Sequence, residues 1–134
     1  MSGEGGRFPW RALPALLYGL GIFYGGVIDI GPLPKIPHIA TDKLLHALAF
    51  AGLSVLAFFA QTEGSTRRRQ LLAASVSIAV GGLLELVQTA LPYRSGEWLD
   101  LLADAAGAIL GIALVAWLIR AWASRGARVS AGEM

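Results

Sequence analysis

At 134 residues, with 55% apolar and 15% charged side chains and a mean hydropathy of +0.61, the chain departs from soluble composition, which is about 45–50% apolar and about 25% charged. The formal charge of +2 and the pI near 9.4 come mostly from arginines at the ends of apolar runs, which argues against a nucleic-acid partner, since that would want a basic face with aromatic or amide readers. Absence of cysteine excludes disulfides, thiol chemistry and Cys-ligated zinc.

Taken as one integral membrane domain, the chain opens with a Gly-rich polar leader over residues 1–8, which has no periodicity and is expected to be disordered. From Trp10 to about Ile30 runs a first apolar span, long enough to cross a hydrocarbon core of ~30 Å at ~1.5 Å per residue. Arg7 and Arg11 make a signal peptide the competing reading, but no A-x-A-like site follows and the run is long for one. Gly31 to Ala40 holds Pro32, Pro34 and Pro37 and is expected to be a loop, because proline forbids continuous helix. Thr41 or Asp42 then caps a second helix reaching Ala60. Gln61 to Gln70, with arginines at 67–69, is expected to be a hydrophilic loop. A third span runs from Leu71 to Leu91 and stops at Pro92; Tyr93 to Trp98 is a turn, and Leu99 to about Trp122 makes the fourth span. Residues 124–134 form a basic tail, expected to fray. The expected fold is all-α, a polytopic bundle of four transmembrane helices over residues 9–123.

Orientation follows from the arginines. Arg7, Arg11, Arg67, Arg68, Arg69, Arg120, Arg125 and Arg128 fall on one side, and only Lys35, Lys43 and Arg94 on the other. The positive-inside rule then predicts both termini in the cytoplasm and a cytoplasmic (inner) membrane location.

The polar residues inside the spans share one level. Asp42 and His46 are four apart, hence on one helix face; Glu85 and Gln88 are three apart, with Glu85 ~10 Å below Pro92; Asp100 and Asp104 are four apart. Three helices thus carry polar groups in the outer third of the membrane, and ionisable groups inside a span are functional candidates by default. Gly21-x-x-x-Gly25, Gly107-x-x-x-Gly111 and Gly81-Gly82 are expected to let helices approach closely. Phe50, Phe58 and Phe59 are expected to pack or face lipid, and Asp29, Lys35, His38 and Glu97 to be ordinary outer-surface residues.

The series Asp42-Lys43-x-x-His46-x-x-x-Phe50, Glu85-x-x-Gln88, Pro92-x-Arg94 and Asp100-x-x-x-Asp104-x-x-Gly107-x-x-x-Gly111 resembles the VanZ-like family of small membrane proteins. The resemblance covers roughly residues 42–116 and departs at Asp104, where the family pattern is expected to favour Asn. It implies a membrane-helix fold and a link to the cell envelope, since the founding member is associated with low-level teicoplanin resistance. It implies no reaction.

Each group has a structural and a functional reading. Asp42 and Asp100 suit helix N-termini, where an acid gains ~0.3–1 kcal/mol from the dipole. His46 is a proton carrier or a ligand near neutral pH. Glu85 and Gln88 form either a buried clasp or part of a site, and Arg94 is a natural bidentate partner of a carboxylate or a phosphate. Asp104 lies too deep to cap. Asp42, His46, Glu85, Asp100 and Asp104 offer hard oxygen ligands and one imidazole. No dense ligand motif is present, however, and neither metal nor cofactor is expected. Ser54 and Ser95 lack a nucleophile motif.

The leading expectation is an outward-facing pocket of Asp42, Lys43, His46, Glu85, Gln88, Arg94, Asp100 and Asp104. It would engage a polar or phosphate-bearing headgroup of a membrane lipid or a lipid-linked cell-wall precursor, with Lys43 and Arg94 holding the anion. The alternatives are an outer-leaflet hydrolase or transferase using His46 with Glu85 or Asp104, and a structural membrane module.

Overall fold

A computed structural model describes residues 10–29, 31 and 41–132, with side chains described to residue 126. The leader, the Pro-rich loop with Lys35 and His38, and the last two residues lie outside the described residues. A short 3-10 turn, Trp10–Ala12, leads into α1 (Leu13–Val27); α2 is Thr41–Ala60, α3 Thr66–Thr89 and α4 Trp98–Gly132. The described chain is all-helical.

Among the described residues three helices are long and apolar enough to cross a membrane: Thr41–Ala60, Thr66–Thr89 and Trp98–Gly126 within α4. The first element is shorter than its apolar run. α1 has 15 residues, or ~22 Å at the helical rise. Pro14 stands in its first turn, and Ile28, already extended, donates its N–H to the Tyr24 carbonyl at 3.0 Å.

Two helices outrun the expected spans. Ser65 caps α3, its hydroxyl accepting from the Arg68 N–H at 3.3 Å, so the 67–69 arginines lie within the helix. Such a cap satisfies an otherwise orphaned donor and lets helix begin earlier than hydropathy alone indicates. Arg69 then closes the α2–α3 turn: its guanidinium lies 4.3 Å from the Phe58 ring centroid and donates to the Phe58 carbonyl. α4 has 35 residues and continues through the stretch expected to be a tail. No proline or helix-ending glycine motif interrupts it.

Packing is organised by glycines on α4. A Cβ at Gly107 would overlap the Ala47 carbonyl of α2, and one at Gly111 would overlap Ser54 Oγ and the Ala51 carbonyl. These positions bring the α2 and α4 backbones together, as small residues do where water offers no hydrophobic drive. Gly81 makes room on α3 for Asp104. Gly21 and Gly25 correct the other expectation: among the described residues a Cβ at either meets nothing within 4 Å, so they seat none of the described helices.

Buried Phe50, Leu53 and Leu84 form one apolar cluster with Ile22, Phe23 and Val27 of α1; Phe58, Ala73 and Val115 form a second. Phe59 and Trp10, Trp98, Trp117 and Trp122 are exposed, as lipid-facing or interfacial side chains are. The buried hydroxyls of Ser54 and Ser77 donate to carbonyls of their own helices, which satisfies them without a neighbour.

Candidate functional site

Helices α2 and α4 begin where α1 and α3 end, so the polar residues near those four termini fall at one end of the bundle. There they form two layers. In the outer layer Lys43 Nζ donates to Asp42 Oδ2 at 2.9 Å, to Glu97 Oε2 at 2.8 Å and to Asp100 Oδ1. Asp42 and Glu97 are about half exposed, whereas Asp100 retains 12% of its side-chain surface.

The inner layer lies one turn deeper on α2 and α4. His46 Nδ1 is 2.8 Å from Asp104 Oδ1, and its Nε2 is 3.9 Å from Asp100 Oδ2. Asp104 is fully buried. Glu85 reaches toward this layer from α3, and its Oε2 accepts the Glu97 N–H at 2.9 Å. Its other oxygen, Oε1, and Asp104 Oδ2 are buried with no hydrogen-bond partner among the described residues.

A third group of side chains closes the end of α1. Gln88 Nε2 donates to the Gly26 carbonyl at 2.9 Å, and Tyr93 Oη to the Val27 carbonyl at 2.8 Å. Arg94 donates to the carbonyls of Ile28 at 2.9 Å and Gly25 at 3.4 Å. These are the carbonyls a helix C-terminus leaves without internal partners.

The structure therefore brings Asp42, Lys43, His46, Glu85, Asp100 and Asp104 together, and gives Gln88 and Arg94 a different task. Arg94 binds backbone carbonyls and, among the described residues, pairs with no carboxylate. Glu97, expected to be an ordinary surface residue, is the link between layers: its side chain holds Lys43 and its N–H holds Glu85. The signal for it was present, since Glu97 stands immediately before an apolar helix whose first turn carries a second acid. Asp29 is exposed and accepts the Gly31 N–H.

Beside the two layers lies a cleft of about 420 Å³, within the range of small-molecule sites. Its lining is mixed: Asp42, His46, Gln88, Arg94, Glu97 and Asp100 supply polar groups, and Ile22, Phe50 and Leu84, with Gly21 and Gly25, supply apolar surface. Gly21 and Gly25 thus leave open the space that side chains on α1 would fill. Among the described residues, five carboxylates (Asp42, Glu85, Glu97, Asp100 and Asp104) meet one ammonium, one guanidinium and one imidazole at this end. There the acids outnumber the bases.

A family model described as VanZ/LLP1 matches residues 14–120, taking in α1 as well as the motif-bearing helices. No curated protein and no solved structure matches the chain.

Proposed function

The chain belongs to the VanZ/LLP1 family, and from that membership we propose that this multi-pass membrane protein receives the polar headgroup of a membrane amphiphile in the cleft beside Lys43 and His46. The observation that carries this reading is the mixed lining, which sets acidic and hydrogen-bonding side chains beside apolar ones in one cleft. An amphiphile presents the same combination. The space over Gly21 and Gly25 takes the first carbons of its chain.

The charge balance selects the headgroup. Lys43 is surrounded by three carboxylates and Arg94 donates to carbonyls, so neither is free to hold a bare phosphate. Asp42, Glu97 and Asp100 instead suit hydroxyl or amine donors, a chemistry that envelope lipids and lipid-linked cell-wall precursors share. The arginine distribution supports a cytoplasmic-membrane placement with both termini inside and the cleft facing out. Teicoplanin resistance, associated with the family's founding member, would concern that same face.

The test is native mass spectrometry of the full chain released from detergent, comparing the natural protein with Gly25→Leu. A Cβ at Gly25 meets no atom of the described residues within 4 Å, so a leucine there enters the cleft without a clash at its first carbon. The natural protein is expected to retain an amphiphile, whose mass separates lipid from cell-wall precursor, and Gly25→Leu to lose it at unchanged thermal stability. Equal retention by a folded Gly25→Leu would overturn the reading.

A second reading rests on the His46–Asp104 contact. A buried carboxylate that orients an imidazole is the arrangement general acid–base chemistry uses, which suits a hydrolase or transferase acting on the same amphiphile. Turnover of a lipid phosphate or cell-wall intermediate by the purified chain, abolished in a folded His46→Ala variant, would establish it. Equal turnover by that variant would rule it out.

A further inference from the structure

We propose that His46, Glu85 and Asp104 hold a divalent transition-metal ion at the floor of the polar layers. One ligand atom from each lies within 4.8 Å of the others. Donors sharing one ion at bond lengths of ~2.0–2.2 Å stand ~3–3.5 Å apart, so modest side-chain rotation closes the set.

Proximity of acids is not the argument by itself. Asp104 is 0% exposed and Glu85 8% exposed, and each has one carboxylate oxygen with no partner among the described residues. Buried carboxylates need hydrogen bonds, a counter-charge or a metal, and more so within a membrane span. Among the described residues no donor reaches either orphan oxygen. A cation engages both acids at once and accepts a lone pair from the imidazole.

The surroundings keep these ligands for the ion. Lys43 is engaged by Asp42, Glu97 and Asp100 in the layer above, so its charge does not neutralise the inner acids. The same engagement disqualifies that outer trio, whose ligand atoms also lie within 4.8 Å of one another. Glu97 N–H holds Glu85 Oε2, the kind of supporting hydrogen bond that orients a metal ligand. Gly81 lets the Asp104 carboxylate sit against α3, where a Cβ would stand 2.7 Å from Oδ2.

One imidazole with two carboxylates favours ions such as Zn²⁺ or Mn²⁺ over Ca²⁺ or Mg²⁺, which take oxygen ligands. Three protein ligands leave a position for water or for an oxygen of a bound molecule. The inference stands on the ligand set and not on the headgroup reading, so either can fail alone.

The experiment uses the full chain purified in detergent with a tag free of histidine, stripped with chelator and given no added lipid. Zn²⁺ and Mn²⁺ are titrated separately, bound metal is counted by mass spectrometry after dialysis, and the melting temperature is followed. The expected result is one ion per chain for at least one of the two metals, with a concentration-dependent rise in melting temperature. Glu85→Gln and Asp104→Asn, near-isosteric, should weaken binding by tenfold or more. No stoichiometric ion and no thermal shift in the natural chain would overturn the proposal, a result that needs no variant to fold. Unchanged metal content in both folded variants would overturn it equally.

Discussion

Asp104 Oδ1 lies 2.8 Å from His46 Nδ1, joining α4 to α2 through a carboxylate from which solvent is fully excluded. The pair sits a turn below the α2 and α4 termini and just above the Gly107–Ala47 contact that fits the two helices together.

The contact predicts a graded response at position 104. Asn keeps an oxygen acceptor facing the imidazole, whereas Leu removes the partner of the half-buried ring nitrogen. Hydrogen bonds to charged groups contribute about 1.5–3 kcal/mol, although polar contacts between membrane helices average nearer 0.6 kcal/mol. Asp104→Leu is therefore expected to cost roughly 1–3 kcal/mol and Asp104→Asn less, read by chemical denaturation in micelles. A leucine variant as stable as the natural chain would show that the pair contributes nothing.

Lys43 predicts an asymmetry among its neighbours. Lys43→Met leaves Asp42, Glu97 and Asp100 facing one another uncompensated and is expected to lower stability by about 1–2 kcal/mol, because breaking a partly buried pair strands its acids. Asp42 is half exposed, and Asp42→Asn is expected to change stability by less than about 0.5 kcal/mol, as exposed pairs do. Denaturation of the two variants side by side checks the order. The reverse order would mean that Lys43 is not the centre of the layer.

Arg94 predicts a loss localised at the end of α1. Arg94→Ala removes the donors to the Ile28 and Gly25 carbonyls and is expected to cost about 1–2 kcal/mol. Lysine, without the planar fork, should recover only part of it. Hydrogen exchange at Gly25 to Asp29 is the specific readout. Accelerated exchange there, with amphiphile retention unchanged, marks Arg94 as a cap; lost retention with unchanged exchange would restore it as a ligand group.

The chain has no cysteine, so single-cysteine variants report orientation without background. Ser95→Cys, in the turn before α4, is expected to react with a membrane-impermeant maleimide in intact cells. Glu63→Cys, between α2 and α3, should react only after lysis. Inverted labelling would reverse the proposed orientation.

Much of the polar end was legible in the order of residues. Spacings of three and four put Asp42 with His46, Glu85 with Gln88 and Asp100 with Asp104, because an α-helix repeats every ~3.6 residues. Alternating chain direction then fixed a common level. The destinations were not legible. Spacing says that Gln88 shares a face with Glu85, but not that it turns to the Gly26 carbonyl while Glu85 meets Glu97. The glycine stripes are equally ambiguous as text: Gly107 and Gly111 seat α2, whereas Gly21 and Gly25 border open space. Helix ends were misjudged where a local device overrode hydropathy, at the Ser65 cap and along the uninterrupted α4.

Membrane residence, helical character and the shared depth of the acids are properties of single segments, set by hydropathy and helical period, and the amino-acid order alone determined them. Which acid meets Lys43, which meets His46 and which keeps an orphan oxygen depends on how far each helix is rotated about its axis. That rotation is decided where Gly107 and Gly111 let two backbones touch, a contact between distant segments that only the folded bundle contains.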